Sequence, residues 1–423
     1  MSQEQPRRIA MISVHTSPLA SPGVGDAGGM NVYLAQVARE LAAAGTEVDI
    51  YTRRNPANAT DVQQLATGVQ VHNIGGGDMP SAGKNELFQL LPQFVEAMLE
   101  RAAEKPQRRY DAVHAHYWLS GPVAQAVASV WRVPIIASMH TLGATKNLAR
   151  EQSSESVNRL RVEQQLVQAA DVLIANTPAE RQDLLLHTRA DPDRVLVVPP
   201  GVNHDSFRPG DQWAARMRMG LPVDRRILLF VGRLQPLKGP DVVIRTAAEI
   251  LRQQPSLRDQ FHVVVCGGPS GVGPGYLAEL QELAAAAGIA DIVEFRPPAP
   301  EERLVDLYRS ADVLLMPSST ESFGLVALEA QASGTPVVAA RVGGLTSSVA
   351  AGSSGLLIDG HNPADWAEAV GRLLAQPGLL TALTAGGLAH AAQFDWGQTA
   401  TGLLAGYQRA IAGDGIDLFE SAH

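Results

Sequence analysis

Cysteine is nearly missing from this chain. Cys266 is the only one in 423 residues, so neither a disulfide framework nor a cysteine zinc site can form within one chain. It ends the apolar run Phe261–Cys266 and reads as a buried small hydrophobe, not a nucleophile. A basic excess is missing too. The formal net charge of −9 argues against binding nucleic acid or an anionic membrane, while leaving room for a local basic pocket. No apolar run reaches the ~18 residues that a spanning helix needs. The polar start, Met1–Arg8, has no signal-peptide pattern, so the expected compartment is the cytoplasm. Walker loop, Ser-His-Asp order and paired-carboxylate hydrolase motif are all absent. So is a GxGxxG fingerprint, which weakens an NAD-dehydrogenase reading.

What is present is alternation. Short apolar runs and helix-period segments succeed one another, the pattern of an α/β fold with parallel sheets. In the first half, strands are expected near Ile9–Val14, Val48–Tyr51, Val69–Ile74, Ala112–Ala115, Pro134–Ser138, Val172–Ala175 and Val195–Val198. Helices are expected at Met30–Ala44, Glu86–Glu104, Pro122–Trp131, Glu155–Ala169 and Pro178–Leu186. A break at Pro199-Pro200-Gly201 and a linker-like stretch, Asn203–Gly210, precede a second series that opens with the strand Arg226–Val231. At this length two or three domains are expected. The pattern predicts two Rossmann-like domains facing each other across a cleft, residues 1–205 and 206–395, with the last helix, within 396–415, returning to the first domain.

The chemistry gathers in loops that follow strands. Met316–Pro336 runs from a strand end through a polar loop into a helix stopped by Gly334 and Pro336. In an open parallel sheet ligands bind there, beyond the carboxyl ends of the strands. The helix start suits a phosphate. Glu321 lies in the loop and Glu329 about two turns into the helix, where carboxylates can accept hydrogen bonds from the hydroxyls of a ribose or a sugar. A lone pair of glutamates at this spacing would ordinarily be surface residues. The loop Val231–Pro240 adds Arg233 and Lys238, which can hold a diphosphate from two sides. The loop Asp26-Ala27-Gly28-Gly29-Met30-Asn31 also ends at a helix start. Further glycine turns stand at Gly75–Asp78, Gly267–Pro269 and Gly343–Gly344. His15, His116 and His140 stand at strand ends, open to readings as buried hydrogen-bonding groups, zinc ligands or substrate contacts.

Arg233 with Lys238, followed by Glu321-Ser322-Phe323-Gly324 and Glu329, resembles the retaining glycosyltransferases of the GT-B fold. Met11–Pro18, Gly28–Tyr33, Val48–Arg53, His116–Gly121, Phe230–Pro236 and Cys266–Gly271 are similar to the D-inositol 3-phosphate glycosyltransferase family of actinobacteria. That resemblance implies transfer of N-acetylglucosamine from UDP-N-acetylglucosamine to 1D-myo-inositol 3-phosphate, the first step of mycothiol biosynthesis. It implies donor contacts at Gly29, Arg233, Lys238, Glu321 and Glu329, with the uracil near the backbone of Ala299. It implies acceptor contacts at His15, Asp26, Ala27, Gly28, Gly29, Met30, Asn31, Lys84, Tyr117, Thr141 and Arg159. Lys84 and Arg159 add positive charge suited to a phosphomonoester. His140 matches the family position beside the transferred sugar and is expected to orient it. The resemblance also implies a structural magnesium ion at Tyr308, Arg309, Ala311 and Thr335, no cofactor in the chemistry itself, and a homodimer. Sucrose-phosphate synthases share much of the pattern, with fructose 6-phosphate as acceptor. Outside the transferases, a UDP-sugar 2-epimerase or a non-catalytic UDP-sugar sensor would use the same architecture.

Overall fold

The computed structural model describes residues 5–23, 25–54, 60–75, 83–149, 155–270 and 275–413. The glycine turn expected at 75–78 lies outside them beyond Gly75. The chain divides into two compact units. Unit one takes Met1–Ala20, Met30–Pro199 and the chain from Trp396 on; unit two takes Ser21–Gly29 and Pro200–Asp395. The short stretch 21–29, read from sequence with the first half, packs with unit two. No helix among the described residues is long and apolar enough to cross a membrane.

Unit one is built on β1 (Arg8–Ser13), β2 (Glu47–Arg53), β3 (Val62–Ala66), β4 (Val69–Ile74), β5 (Ala112–His116), β6 (Ile135–Ser138), β7 (Val172–Ala175) and β8 (Val195–Val197). They lie in the order β3-β4-β2-β1-β5-β6-β7-β8. The pairing is parallel except that β3 runs antiparallel to β4 at the edge. β3 was not foreseen: Val-Gln-Gln-Leu-Ala is polar and only half-buried, as an edge strand can be. The helices are α1 (Gly29–Ala43), α2 (Lys84–Ala103), α3 (Ser120–Trp131), α4 (Gly143–Ala149), α5 (Val157–Ala169) and α6 (Pro178–Thr188). α5 starts two residues later than its apolar period suggests because the Ser156 hydroxyl caps it, accepting from Arg159 N at 3.2 Å.

Unit two carries α7 (Gln212–Met219), β9 (Arg226–Val231), α8 (Pro240–Gln253), β10 (Phe261–Cys266), α9 (Tyr276–Ala286), β11 (Val293–Arg296) and α10 (Glu301–Ser310). Then come β12 (Val313–Met316), α11 (Leu325–Ala332), β13 (Val337–Ala340), α12 (Leu345–Ser348), β14 (Gly355–Ile358), α13 (Pro363–Ala375) and α14 (Pro377–Ala391). Its six strands are all parallel, in the order β11-β10-β9-β12-β13-β14. β9 explains why such strands read as unbroken apolar runs. Leu228 and Phe230 enter one core and Ile227 and Leu229 another, so both faces are buried.

The last helix, α15 (Trp396–Ala412), belongs to unit one. Gly402 faces Val198 so closely that a Cβ there would lie 2.8 Å from its methyl carbon, and Gly406 meets Ile174 and Leu196. Thr399 Oγ1 donates to Pro199 O at 2.7 Å, tying the helix to the end of the first sheet.

Candidate active site

A doubly wound sheet opens a crevice where its winding reverses, because the loops on either side lead to opposite faces. Unit one reverses between β1 and β5, and unit two between β9 and β12. Of the residues singled out from the sequence, His15 and Tyr117 follow β1 and β5, and Arg233, Lys238 and Glu321 follow β9 and β12.

In unit two, Lys238 closes the 3-10 turn Pro236–Lys238 after β9. Its ammonium pairs with the carboxylate of Glu321, in the loop after β12; both side chains are largely covered. Backbone contacts bring the loops together. Ser319 N donates to Leu237 O at 2.9 Å. Gly239 has φ +69°, and a Cβ there would strike the Pro317 carbonyl, so only glycine fits without strain. Gly344 N donates to Glu321 O at 2.7 Å and adds the loop after β13. Arg233 lies elsewhere on the first loop: Nη1 approaches Ser270 Oγ at 3.4 Å, and Nε is 3.6 Å from where a Gly28 Cβ would stand. Gly29 faces Leu325 at the start of α11. Ala299 packs half-buried on the unit's core, and Cys266 Sγ nearby donates to Pro297 O at 3.2 Å.

Glu329 is buried in α11 and accepts from the Tyr308 hydroxyl at 2.7 Å. Burial pushes its carboxyl up to about 7, against the pull of that hydrogen bond.

In unit one, His15 follows β1 and packs at a tilt of 38° against Tyr117, which follows β5; their ring centroids are 4.3 Å apart. Tyr117 has φ +72°, an uncommon left-handed conformation for a bulky side chain. Arg159 is 1 % exposed. Its guanidinium donates to Tyr117 Oη at 3.1 Å, Thr141 O at 2.9 Å and Thr141 Oγ1 at 3.1 Å. Lys84 Nζ lies 5.8 Å from the centre of the Tyr117 ring. Five of the acceptor-side residues thus form one group: His15, Lys84, Tyr117, Thr141 and Arg159. The Asp26–Asn31 loop is divided between the units, Asp26, Ala27, Gly28 and Gly29 with unit two, Met30 and Asn31 with unit one. Ala27 is buried, Met30 packs on the core of unit one, and Asn31 Nδ2 donates to Thr16 Oγ1 at 2.7 Å.

His140 has φ +58° and shares a proton with His116, Nε2 to Nδ1 at 3.0 Å. His114 lies beside them, bonded to the Tyr407 hydroxyl at 2.8 Å and to Ser138 Oγ at 2.9 Å. Burial lowers His114 and His140 to about 3 and takes His116 well below its ordinary value. Burial thus favours the neutral imidazole in all three, and the rings exchange hydrogen bonds. Among the described residues no group of three or more His, Cys, Asp and Glu could hold a metal.

The magnesium expectation can be tested on its own residues. Thr335 Oγ1 donates to Tyr308 O at 2.6 Å, and Gln212 Nε2 donates to Ala311 O at 3.0 Å. Ala311 O and Thr335 Oγ1 each keep a lone pair, and none of the four residues supplies a carboxylate. Carbonyl and hydroxyl oxygens alone would hold a hard dication only weakly.

Reading one residue type at a time missed the partners. Lys146, Glu155 and Glu163 surround Arg159. The signal was there for Glu163, four residues after Arg159 on a helix. Tyr33 and Tyr407, which flank the histidines, carried none.

Residues 27–206 match the family Glycosyltransferase Family 4, and residues 211–387 match Glycosyl transferases group 1. The D-inositol 3-phosphate glycosyltransferase of Acidothermus cellulolyticus is 51 % identical over 409 residues, 96 % of this chain and 91 % of that protein. The protein of the same name from Thermobispora bispora is 48 % identical over 406 residues, 96 % and 95 % of the two chains. This chain belongs to the D-inositol 3-phosphate glycosyltransferase family. It is a glycosyltransferase that moves a hexosyl group, which sets aside the epimerase and sensor readings. Among solved structures, sucrose-phosphate synthase from Thermosynechococcus elongatus superposes with a TM-score of 0.87 at 33 % identity, covering 96 % of this chain and all of that one (100 %). Anabaena Alr3699/HepE in complex with UDP-glucose, 20 % identical, gives 0.75 over 94 % and 98 % of the chains, a likeness of fold alone. Members of the D-inositol 3-phosphate glycosyltransferase family share the GT-B class with these neighbours: two Rossmann-like α/β units with parallel sheets.

Proposed function

We propose that this enzyme transfers N-acetylglucosamine from UDP-N-acetylglucosamine to 1D-myo-inositol 3-phosphate with retention at the anomeric carbon, opening mycothiol biosynthesis. The observation that carries the reading is the cationic group at the β1/β5 crevice, where Arg159, Thr141, Tyr117 and Lys84 converge. A neutral acceptor would need neither cation, whereas a phosphomonoester uses both. The names of relatives at 48–51 % identity support the acceptor further.

On this reading, unit two takes the donor. Lys238 and Arg233 bind the diphosphate, with Gly29 at the helix start beside them. Glu321 meets the sugar, Glu329 accepts from the ribose hydroxyls, and the uracil lies along the backbone at Ala299. Unit one takes the acceptor, with His15, Met30 and Asn31 adding to the cationic group. The acceptor oxygen attacks C1 on the face the phosphate leaves. The C1–O bond to UDP breaks, the C1–O bond to inositol forms, and the departing phosphate oxygen takes the acceptor's proton. Arg233 and Lys238 stabilise the charge growing on UDP. Neutral His140 orients the sugar. No step uses a metal.

The 33 % identity to sucrose-phosphate synthase favours a second reading, glucosyl transfer to a sugar phosphate. Nuclear magnetic resonance of the purified product tests linkage and donor together. The expected product carries the N-acetyl group and the α configuration of the donor. A β linkage contradicts retention, and turnover of UDP-glucose alone contradicts the donor.

A further inference from the structure

The cations assigned to the acceptor phosphate already have anions beside them. Glu163 accepts from Arg159 Nε at 2.6 Å and from Gly143 N at 2.9 Å, and its side chain is as buried as the arginine's, 2 % exposed. Both of its oxygens are committed. Glu155 is placed differently. One oxygen lies 3.0 Å from Arg159 Nη1 and the other 3.3 Å from Lys146 Nζ, while 27 % of the side chain stays exposed. Its backbone N–H is anchored on Asn147 Oδ1 at 2.7 Å, ahead of α5, so the side chain can turn while the backbone stays. Two oxygens bridging a guanidinium and an ammonium is the arrangement a phosphate would take there. Arg159 and Lys146 bring two positive charges, and Glu155 and Glu163 bring two negative ones. A phosphate therefore meets a compensated cluster.

We propose that Glu155 is a displaceable internal counter-anion, holding Arg159 and Lys146 in place until the acceptor's phosphate takes its position. The inference rests on the acceptor reading above. Buried cations without an anion are costly, and burial, with Arg159 adding to it, already lowers Lys146 to about 8. Displacing Glu155 lowers the affinity of every anion that enters. A dianion regains that cost from two cations at once, whereas a monoanion merely exchanges one charge for another and a neutral inositol cannot take the place at all. Glu155 is thus a specificity-determining residue that sharpens the preference for a phosphorylated acceptor.

The test compares wild type, Glu155→Gln and Glu155→Asp by the KM for inositol 3-phosphate and by calorimetric binding of inorganic phosphate. Removing the competing charge in Glu155→Gln should lower both constants about fivefold to tenfold, tenfold being about 1.4 kcal/mol. Glu155→Asp keeps the charge and should stay within about twofold of wild type. An unchanged or raised constant in Glu155→Gln overturns the proposal, as does the same change in both variants, which would mark a structural role. Wild type that binds phosphate but does not turn over inositol 3-phosphate contradicts the acceptor reading instead, and phosphate binding by the variants still decides the role of Glu155.

Discussion

An ammonium held against a carboxylate, as Lys238 is against Glu321, keeps each from pairing elsewhere until a ligand parts them. A diphosphate can take the lysine while a sugar hydroxyl takes the glutamate, so both are in place before the donor arrives. Losing Lys238 leaves the charge developing on UDP without one of its donors. Lys238→Ala should lower kcat by about 10²–10³; full activity would remove the diphosphate role. Glu329 gives a prediction with a definite sign. Its folded pKa is raised to about 7, so its favourable contribution is present below the unfolded value and is lost as pH rises through about 7. Glu329→Gln should then be the more stable protein at pH 8, by up to roughly 3 kcal/mol, with the advantage shrinking toward pH 5, while the donor KM rises. Urea unfolding at the two pH values measures this. Lys238 and Glu321 were legible because each sits in a short strand-to-helix loop, and Glu329 because it lies in the helix that follows at once. Glu155 and Lys146 were not, since two charges nine residues apart carry no helical period.

Elements put those residues together. The parallel strands of unit two were legible as apolar runs because both of their faces are buried. Edge strand β3 and the short helix α7, capped by Asp211, were not, since neither shows a buried period strong enough to stand out. The close approach of the loops after β9 and β12 depends on Gly239. Gly239→Ala must adopt a left-handed conformation, costing about 1–3 kcal/mol, and must also push Pro317 away. It should lower the denaturant midpoint and weaken UDP binding; an unchanged midpoint would mean the loops tolerate separation. The histidines between β5, β6 and α15 act in unit one. Their folded pKa values are depressed, so the stability they contribute is present above about pH 6.5 and is lost on acidification. The slope is up to about 1.4 kcal/mol per pH unit for each. Buried Glu180, raised to about 7 by burial, works in the opposite sense. Thermal unfolding between pH 7 and pH 4 should therefore show a steep loss in wild type, and a flat profile would mean these rings are not buried in solution.

At the scale of the molecule, the chain forms two units with separate cores, and the two substrates are assigned to different ones. Hydrogen exchange should show UDP protecting the segments 232–239 and 319–329. Inositol 3-phosphate should protect 140–149 and 155–163. Protection of both sets by UDP alone would contradict the separate assignment. The α/β alternation could be read from the sequence. The allegiance of 21–29 could not, because a loop of glycines and small residues has no apolar face to declare which core it joins. The measurement that bears most directly on the account is UDP release from UDP-N-acetylglucosamine, with inositol 3-phosphate, free inositol or fructose 6-phosphate offered in turn. Release that depends on inositol 3-phosphate is the predicted result. Release from UDP-glucose with fructose 6-phosphate alone would keep the fold and the donor site but contradict the acceptor.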